Sequence, residues 1–200
     1  MTRSTRCLLL AVSGLLLNGA LLLAQHSPPS PPPPAASARE SSQFDFLLGE
    51  WTLTVSPKVS GLVAVIHGVP KLVGTWKASR AFDGRGLEDE LRIIDASGNP
   101  SALSHTLRVY DPVARHWVTA GLDVFRSRAG EATGEFKDGA MVMMSHSTGA
   151  DRKPTVNRSR FFEITPTSFR FQQDRSTDDG RTWQEGVLRI EAKRTAGAPR

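Results

Sequence analysis

The side chains first weighed for chemistry are carboxylates and imidazoles. Glu88 and Glu90 stand two residues apart, a spacing that puts two carboxylates on one face of a strand, where one could serve as acid and the other as base. His105 lies on the following run and His116 across the next turn. Imidazoles on neighbouring strands can share a metal ion or move a proton. Against this, alternating charge on a wetted strand face accounts equally well for Glu88 and Glu90. The other histidines past the leader, His26, His67 and His146, form no pair at ligand spacing within one element. Past the leader the chain lacks Gly-x-Ser-x-Gly, His-Glu-x-x-His and Gly-x-x-x-x-Gly-Lys, and Gly84-Arg85-Gly86 lacks the third glycine of a dinucleotide loop. The expectation is no catalytic signature, no metal and no cofactor.

The N-terminus bounds the rest. Arg3 and Arg6 precede an apolar run from Cys7 to Leu23 that ends in Ala24 and Gln25, the layout of a secretory signal peptide over 1–24. Ser13, Gly14, Asn18 and Gly19 interrupt the run, which falls short of the roughly 20 apolar residues of a spanning helix. An exported bacterial-type protein, periplasmic or secreted and without stable membrane insertion after cleavage, is the expectation. Cys7 is the single cysteine and leaves with the leader, so no disulfide, thiolate ligand or cysteine nucleophile remains. The formal charge of +5 falls to +3 once Arg3 and Arg6 are removed. Acids interrupt the basic residues, so the continuous basic stripe of a nucleic-acid partner is missing. Pro28 to Pro34 is nearly all proline and marks 25–42 as an extended, disordered linker.

From Phe44 onward, short β-branched and aromatic runs alternate with Gly, Asp, Pro and Asn, the punctuation of a strand meander. Eleven runs qualify: 51–55, 62–67, 74–82, 87–95, 103–111, 116–124, 134–137, 141–147, 158–164, 169–174 and 186–194. Leu103, His105, Leu107 and Val109 share one face, with Ser104, Thr106, Arg108 and Tyr110 on the other. Leu188, Ile190 and Ala192 likewise oppose Arg189, Glu191 and Lys193. No helical period separates the strands, which disfavours parallel βαβ units. Many short strands must hide their edges, and closure does so. The expected fold is therefore all-β: a closed antiparallel up-and-down barrel of about 8–10 strands over 43–195, with a disordered tail at 196–200. The apolar run Leu62 to Ile66, inside the 57–73 insertion, is read as an added hairpin or a flap over the mouth.

Three motifs sharpen this. Phe44-Asp45-Phe46-Leu47-Leu48-Gly49-Glu50-Trp51 ends in Gly-x-Trp at the first strand; Tyr110-Asp111-Pro112 with Trp117 reads as strand, turn and strand; and Ser176-Thr177-Asp178-Asp179-Gly180-Arg181-Thr182-Trp183 is an Asp-box hairpin. In the last, the Asp178 carboxylate can accept from turn N–H groups, Gly180 can take positive φ and Trp183 can pack beneath. One copy cannot make a propeller. In this order the motifs resemble an uncharacterised family of secreted bacterial proteins with an FDFLLGxW motif, and more broadly the lipocalin-like, or calycin, barrels. The resemblance implies a lipocalin-like barrel over roughly Phe44 to Arg194 and brings no catalytic residues. Asn157-Arg158-Ser159 is read as a chance glycosylation sequon.

A barrel of this size is about wide enough for one small ligand. The expected function is binding of an apolar or amphipathic molecule of unknown specificity. The residues assigned to it are Trp51, Leu53, Leu107, Met143, Phe162, Phe171, Leu188, Ile190 and Arg194, with His105, Arg160 and Gln173 as polar handles; Val109 shares the inner row. That these side chains simply fill the barrel is nearly as good a reading. Two further alternatives are an enzyme using His105 or the Glu88 and Glu90 pair in the lumen, and an interaction module built on Met141, Met143 and Met144. Closure makes one more demand. With an even number of strands, Trp51 at the start of the first and Arg194 at the end of the last share one end and the inner face, so the guanidinium should stack on the indole.

Overall fold

In β1 (Gly49–Pro57), Trp51, Leu53 and Val55 are buried while Thr52, Thr54 and Ser56 are exposed, as one dry and one wet face require. The computed structural model describes residues 38–59, 70–149 and 152–196. The expected leader, most of the linker, the run Leu62 to Ile66 and all but the first residue of the tail lie outside the described residues. After β1 come β2 (Leu72–Ala81), β3 (Gly86–Ile94), β4 (Pro100–Asp111), β5 (His116–Asp123), β6 (Arg128–Lys137), β7 (Ala140–Thr148), β8 (Pro154–Phe162), β9 (Ser168–Ser176) and β10 (Gln184–Arg194). Each pairs antiparallel with its neighbour in sequence, and β10 pairs with β1 to close a barrel. The fold is an all-β, lipocalin-like barrel of ten strands.

Facing follows from register, because residues directly opposite each other in an antiparallel pair lie on one face. Trp51 opposes Trp76 and Arg194, Trp76 opposes Leu91, and Leu91 opposes Ser104. The inner row of β4 is therefore Ala102, Ser104, Thr106 and Arg108. This corrects the expectation for His105, Leu107 and Val109, which face outward; His105 is exposed, and Leu107 and Val109 are each 37% exposed. On β8, Ser159 and Phe161 oppose Met143 and Met141, so Arg160 and Phe162 also point out of the lumen. A register choice off by one residue inverts a whole strand. The apolar row of β4 sits outside because the inner row is committed to partners on β3.

Smaller differences have local causes. β6 begins at Arg128 and not at Gly134, because its inner row contains Gly130, Ala132 and Gly134 and so gives no hydrophobic alternation to read. Ala38–Ser41, inside the segment expected as linker, forms one helical turn.

One end of the barrel is stoppered by the chain preceding β1. Phe44, just before a short 3-10 turn (Asp45–Leu47), and Leu47, its last residue, are fully buried. Phe44 meets Trp117 and Phe161 edge-on at 4.9 and 5.8 Å, and Trp51 meets Phe169 at 4.8 Å. Trp51 Nε1 donates to Leu47 O at 2.8 Å, and Trp117 Nε1 donates to Gln43 Oε1 at 3.0 Å. Arg194 lies 4.1 Å from the Trp51 ring, where the parity argument places it. Its Nη1 donates to Leu48 O and its Nε to Pro166 O, each at 2.8 Å. One guanidinium thus ties the plug, the first strand and the β8–β9 turn together, with about 0.5 to 2 kcal/mol from cation–π attraction.

Candidate functional site: the barrel lumen

Above the plug, the aromatic rings crowd one side of the interior. Trp76, Phe161 and Phe171 approach each other at 5.0 to 5.9 Å. The opposite wall, from β4 to β6 with Ser145 of β7, is built of small side chains, and the difference in bulk leaves a cavity of about 980 Å³ open at the end away from the plug. Ser104, Thr106, Thr119, Gly121, Ala132 and Ser145 line that wall, with Ser159 on β8; Trp76, Leu91, Met143, Phe161 and Phe171 line the other. Gly130 also borders the space, and a Cβ added there would meet no atom within 4 Å. Ser104, Thr106, Ser145 and Ser159 make no side-chain hydrogen bond among the described residues, which leaves four hydroxyls unspent.

A buried ion pair forms the floor. Asp89 is 2% exposed and Arg108 6%. Arg108 Nε donates to Asp89 Oδ2 at 2.5 Å, and Trp76 Nε1 donates to Asp89 Oδ1 at 2.7 Å. The guanidinium stands 4.9 Å from the Phe44 ring and 5.8 Å from Phe161. Both oxygens of Asp89 are engaged, while neither Nη of Arg108 makes a hydrogen bond among the described residues, and Arg108 borders the cavity.

Of the residues assigned from sequence, Met143 and Phe171 border the cavity. Leu53 and Ile190 are buried in the packed side, Leu188 packs against it, and Gln173 shares their inward face beside Ser159. Trp51 and Arg194 belong to the closed end. Sequence reasoning missed Trp76, Asp89, Arg108, Phe161 and the hydroxyl row. One signal was available: Asp89 sits between Leu87 and Leu91 in an apolar row, and a buried acid demands a donor on the adjacent strand, which Arg108 supplies.

The remaining candidates lie outside the lumen or support the frame. His105 Nε2 is 3.7 Å from Glu88 Oε2, and Glu90 opposes His105 on the same outer face, so the proposed acid and base do not face the cavity. Met141 and Met143 are buried and fill the interior. Arg160 and Arg158 converge on the buried Asp174, at 3.5 and 2.9 Å, beneath the β9–β10 connection. Burial works to raise Asp174, but the Gly186 N–H, Gln172, Arg158 and Arg160 hold its carboxyl below the ordinary range. In the hairpin itself, Thr182 donates to Asp178 through its hydroxyl (2.6 Å) and its N–H (2.9 Å) and Ser176 Oγ adds a third bond (2.7 Å), lowering the acid to about 2. Gly180 has φ of +82°, and Trp183 stacks under Arg158 at 4.3 Å. Asn157 is 5% exposed and donates to Ser147 Oγ, so the sequon does not present its amide to solvent. Among the described residues, no group of three or more His, Cys, Asp or Glu side chains is placed to hold a metal.

No family model matches the chain, and no curated protein matches it. Solved structures do share the fold. The S-type phycobiliprotein lyase CPES from Guillardia theta is 14% identical, with a TM-score of 0.50 over 82% of this chain and 99% of that one. The structure of EF1p2_mFAP2b bound to DFHBI is 12% identical, with a TM-score of 0.40 over 78% and 99%. At 14% identity the likeness to the lyase shows the barrel fold alone.

Proposed function

We propose that this is an exported protein, periplasmic or secreted, that binds a small amphipathic molecule in its lumen, and that it groups with the secreted bacterial proteins its three motifs resemble. The observation that carries binding is the open cavity of about 980 Å³ between an aromatic wall and a wall of unspent hydroxyls. A barrel built only as a scaffold would fill that space, because voids of this size forfeit dispersion contacts on every lining atom. Size and mixed polarity are those of a small-molecule site. Export is supported by the charged, apolar and small-residue zones of residues 1–24.

Titration with an environment-sensitive naphthalene dye tests the binding. Wild type should enhance and blue-shift its emission, and Gly130→Phe, which projects a ring into the void, should abolish this without lowering the melting temperature. Enhancement unchanged by that substitution would place the dye elsewhere and remove the reading. N-terminal sequencing of protein from its native envelope tests export: the chain should begin near Gln25, and an intact Met1 would count against processing.

A further inference from the structure

The charges bordering the cavity lie at its floor and at its mouth. On the floor Arg108 is matched by Asp89, whose two oxygens are already taken by Trp76 Nε1 and Arg108 Nε. At the mouth, Arg128 and Arg152 border the space, and Asp123 beside them is bound to Arg126 at 2.6 Å. A ligand reaching the floor therefore meets two unspent guanidinium nitrogens but no net positive charge. Those nitrogens need an acceptor. A carboxylate would satisfy them, yet it would leave a second buried anion beside Asp89 with one cation between them, and an uncompensated buried charge is costly. A carbonyl oxygen accepts the same hydrogen bonds and brings no charge. The surroundings select the rest of the molecule: Phe171 presents its half-buried ring beside the nearly covered Trp76 and Phe161, and the facing row of Ser104, Thr106 and Ser159 leaves room for a thin body with polar edges.

We propose that the lumen receives a flat aromatic molecule with an uncharged carbonyl group, oriented carbonyl-down so that its oxygen accepts from the Nη groups of Arg108. This rests on the reading of the lumen as a ligand site and adds the class of ligand and the residue that selects it. Asp89 and Trp76 are positioning residues, since they fix the guanidinium and touch no ligand.

Three dyes of one shape test it: 6-dimethylamino-2-propionylnaphthalene, the matching 2-naphthoate, and the 2-propyl analogue without an acceptor. The ketone should bind wild type at least about tenfold more tightly than either of the others. Arg108→Lys keeps the charge but loses the fork, and should bring the ketone down to the affinity of the propyl analogue while leaving the latter unchanged. A naphthoate that binds as tightly as the ketone, or a propyl analogue that does, overturns the proposal and leaves the lumen as a site. Failure of all three to bind, or binding indifferent to Gly130→Phe, overturns the lumen reading itself. Should Arg108→Lys fail to fold, the three affinities for wild type still decide.

Discussion

Two halves of one interior are built to different rules. On the side of β1, β2, β9 and β10, with the plug before β1, Trp51, Trp76, Phe44 and Phe169 fill the space and are 3% exposed or less. On the side of β4 to β6, with Ser145 of β7, hydroxyls, alanine and glycine leave it open. Both halves share the same ladder and the same closure, so the backbone does not distinguish them. Side-chain volume does, and stability is expected to reside mainly in one half and recognition in the other.

The sharpest contrast lies within β8. Phe161 packs against Phe44, Trp76 and Phe171, and Phe161→Ala should cost about 3 to 5 kcal/mol. Ser159→Ala, two residues away on the same face, should stay within about 0.5 kcal/mol while weakening a bound polar ligand. Urea denaturation of the two variants measures the difference, and similar costs would break the division.

β6 provides a second pair. A Cβ on Gly134 would stand 2.0 Å from Val142 O and 2.6 Å from Met143 Sδ, whereas one on Gly130 meets nothing within 4 Å. Gly134→Ala should lose about 1 to 3 kcal/mol through forced backbone movement, and Gly130→Ala should be neutral or gain up to about 1 kcal/mol from the stiffer unfolded chain. Thermal melts of both variants show whether the packed zone reaches as far as β6.

The Arg194 and Trp51 contact tests the closed end. Arg194→Ala should cost about 0.5 to 2 kcal/mol and change tryptophan emission, and in a Trp51→Ala background the same change should be nearly silent. Additive losses would mean that the two side chains act independently.

The smallest effect expected lies outside both halves, in the Asp-box hairpin. Asp178 is lowered from 3.8 to about 2, so its contribution is fully present above pH 3.8 and is lost as pH falls through 2. Carboxyl chemical shifts followed by NMR should show its midpoint near 2, with the hairpin loosening only below that. A midpoint near 3.8 would show that the Thr182 and Ser176 bonds do not persist in solution.

Much of this was written in the chain itself. Alternation and turn residues mark each of the ten strands, the eleventh run, 62–67, lying outside the described residues; the Gly-x-Trp and Asp-box motifs mark the first strand and the last hairpin, and strand parity places Arg194 over Trp51. These are local rules of period two and turn chemistry, complete within a few residues. Inner and outer faces were less legible wherever both rows of a strand were plausible. On β4 the more apolar row, Leu107 and Val109, lies outside; on β8 the adjacent Phe161 and Phe162 left the choice to one residue of register. Only the tertiary structure decided these, because facing is set by pairing with strands whose own rows are already committed: Trp76 to Leu91, Leu91 to Ser104, Asp89 to Arg108. The lumen is likewise a tertiary fact. A serine or glycine in a strand shows no hint of a void until five strands, β4 to β8, place their smallest residues around the same space, opposite rings that cannot fill it.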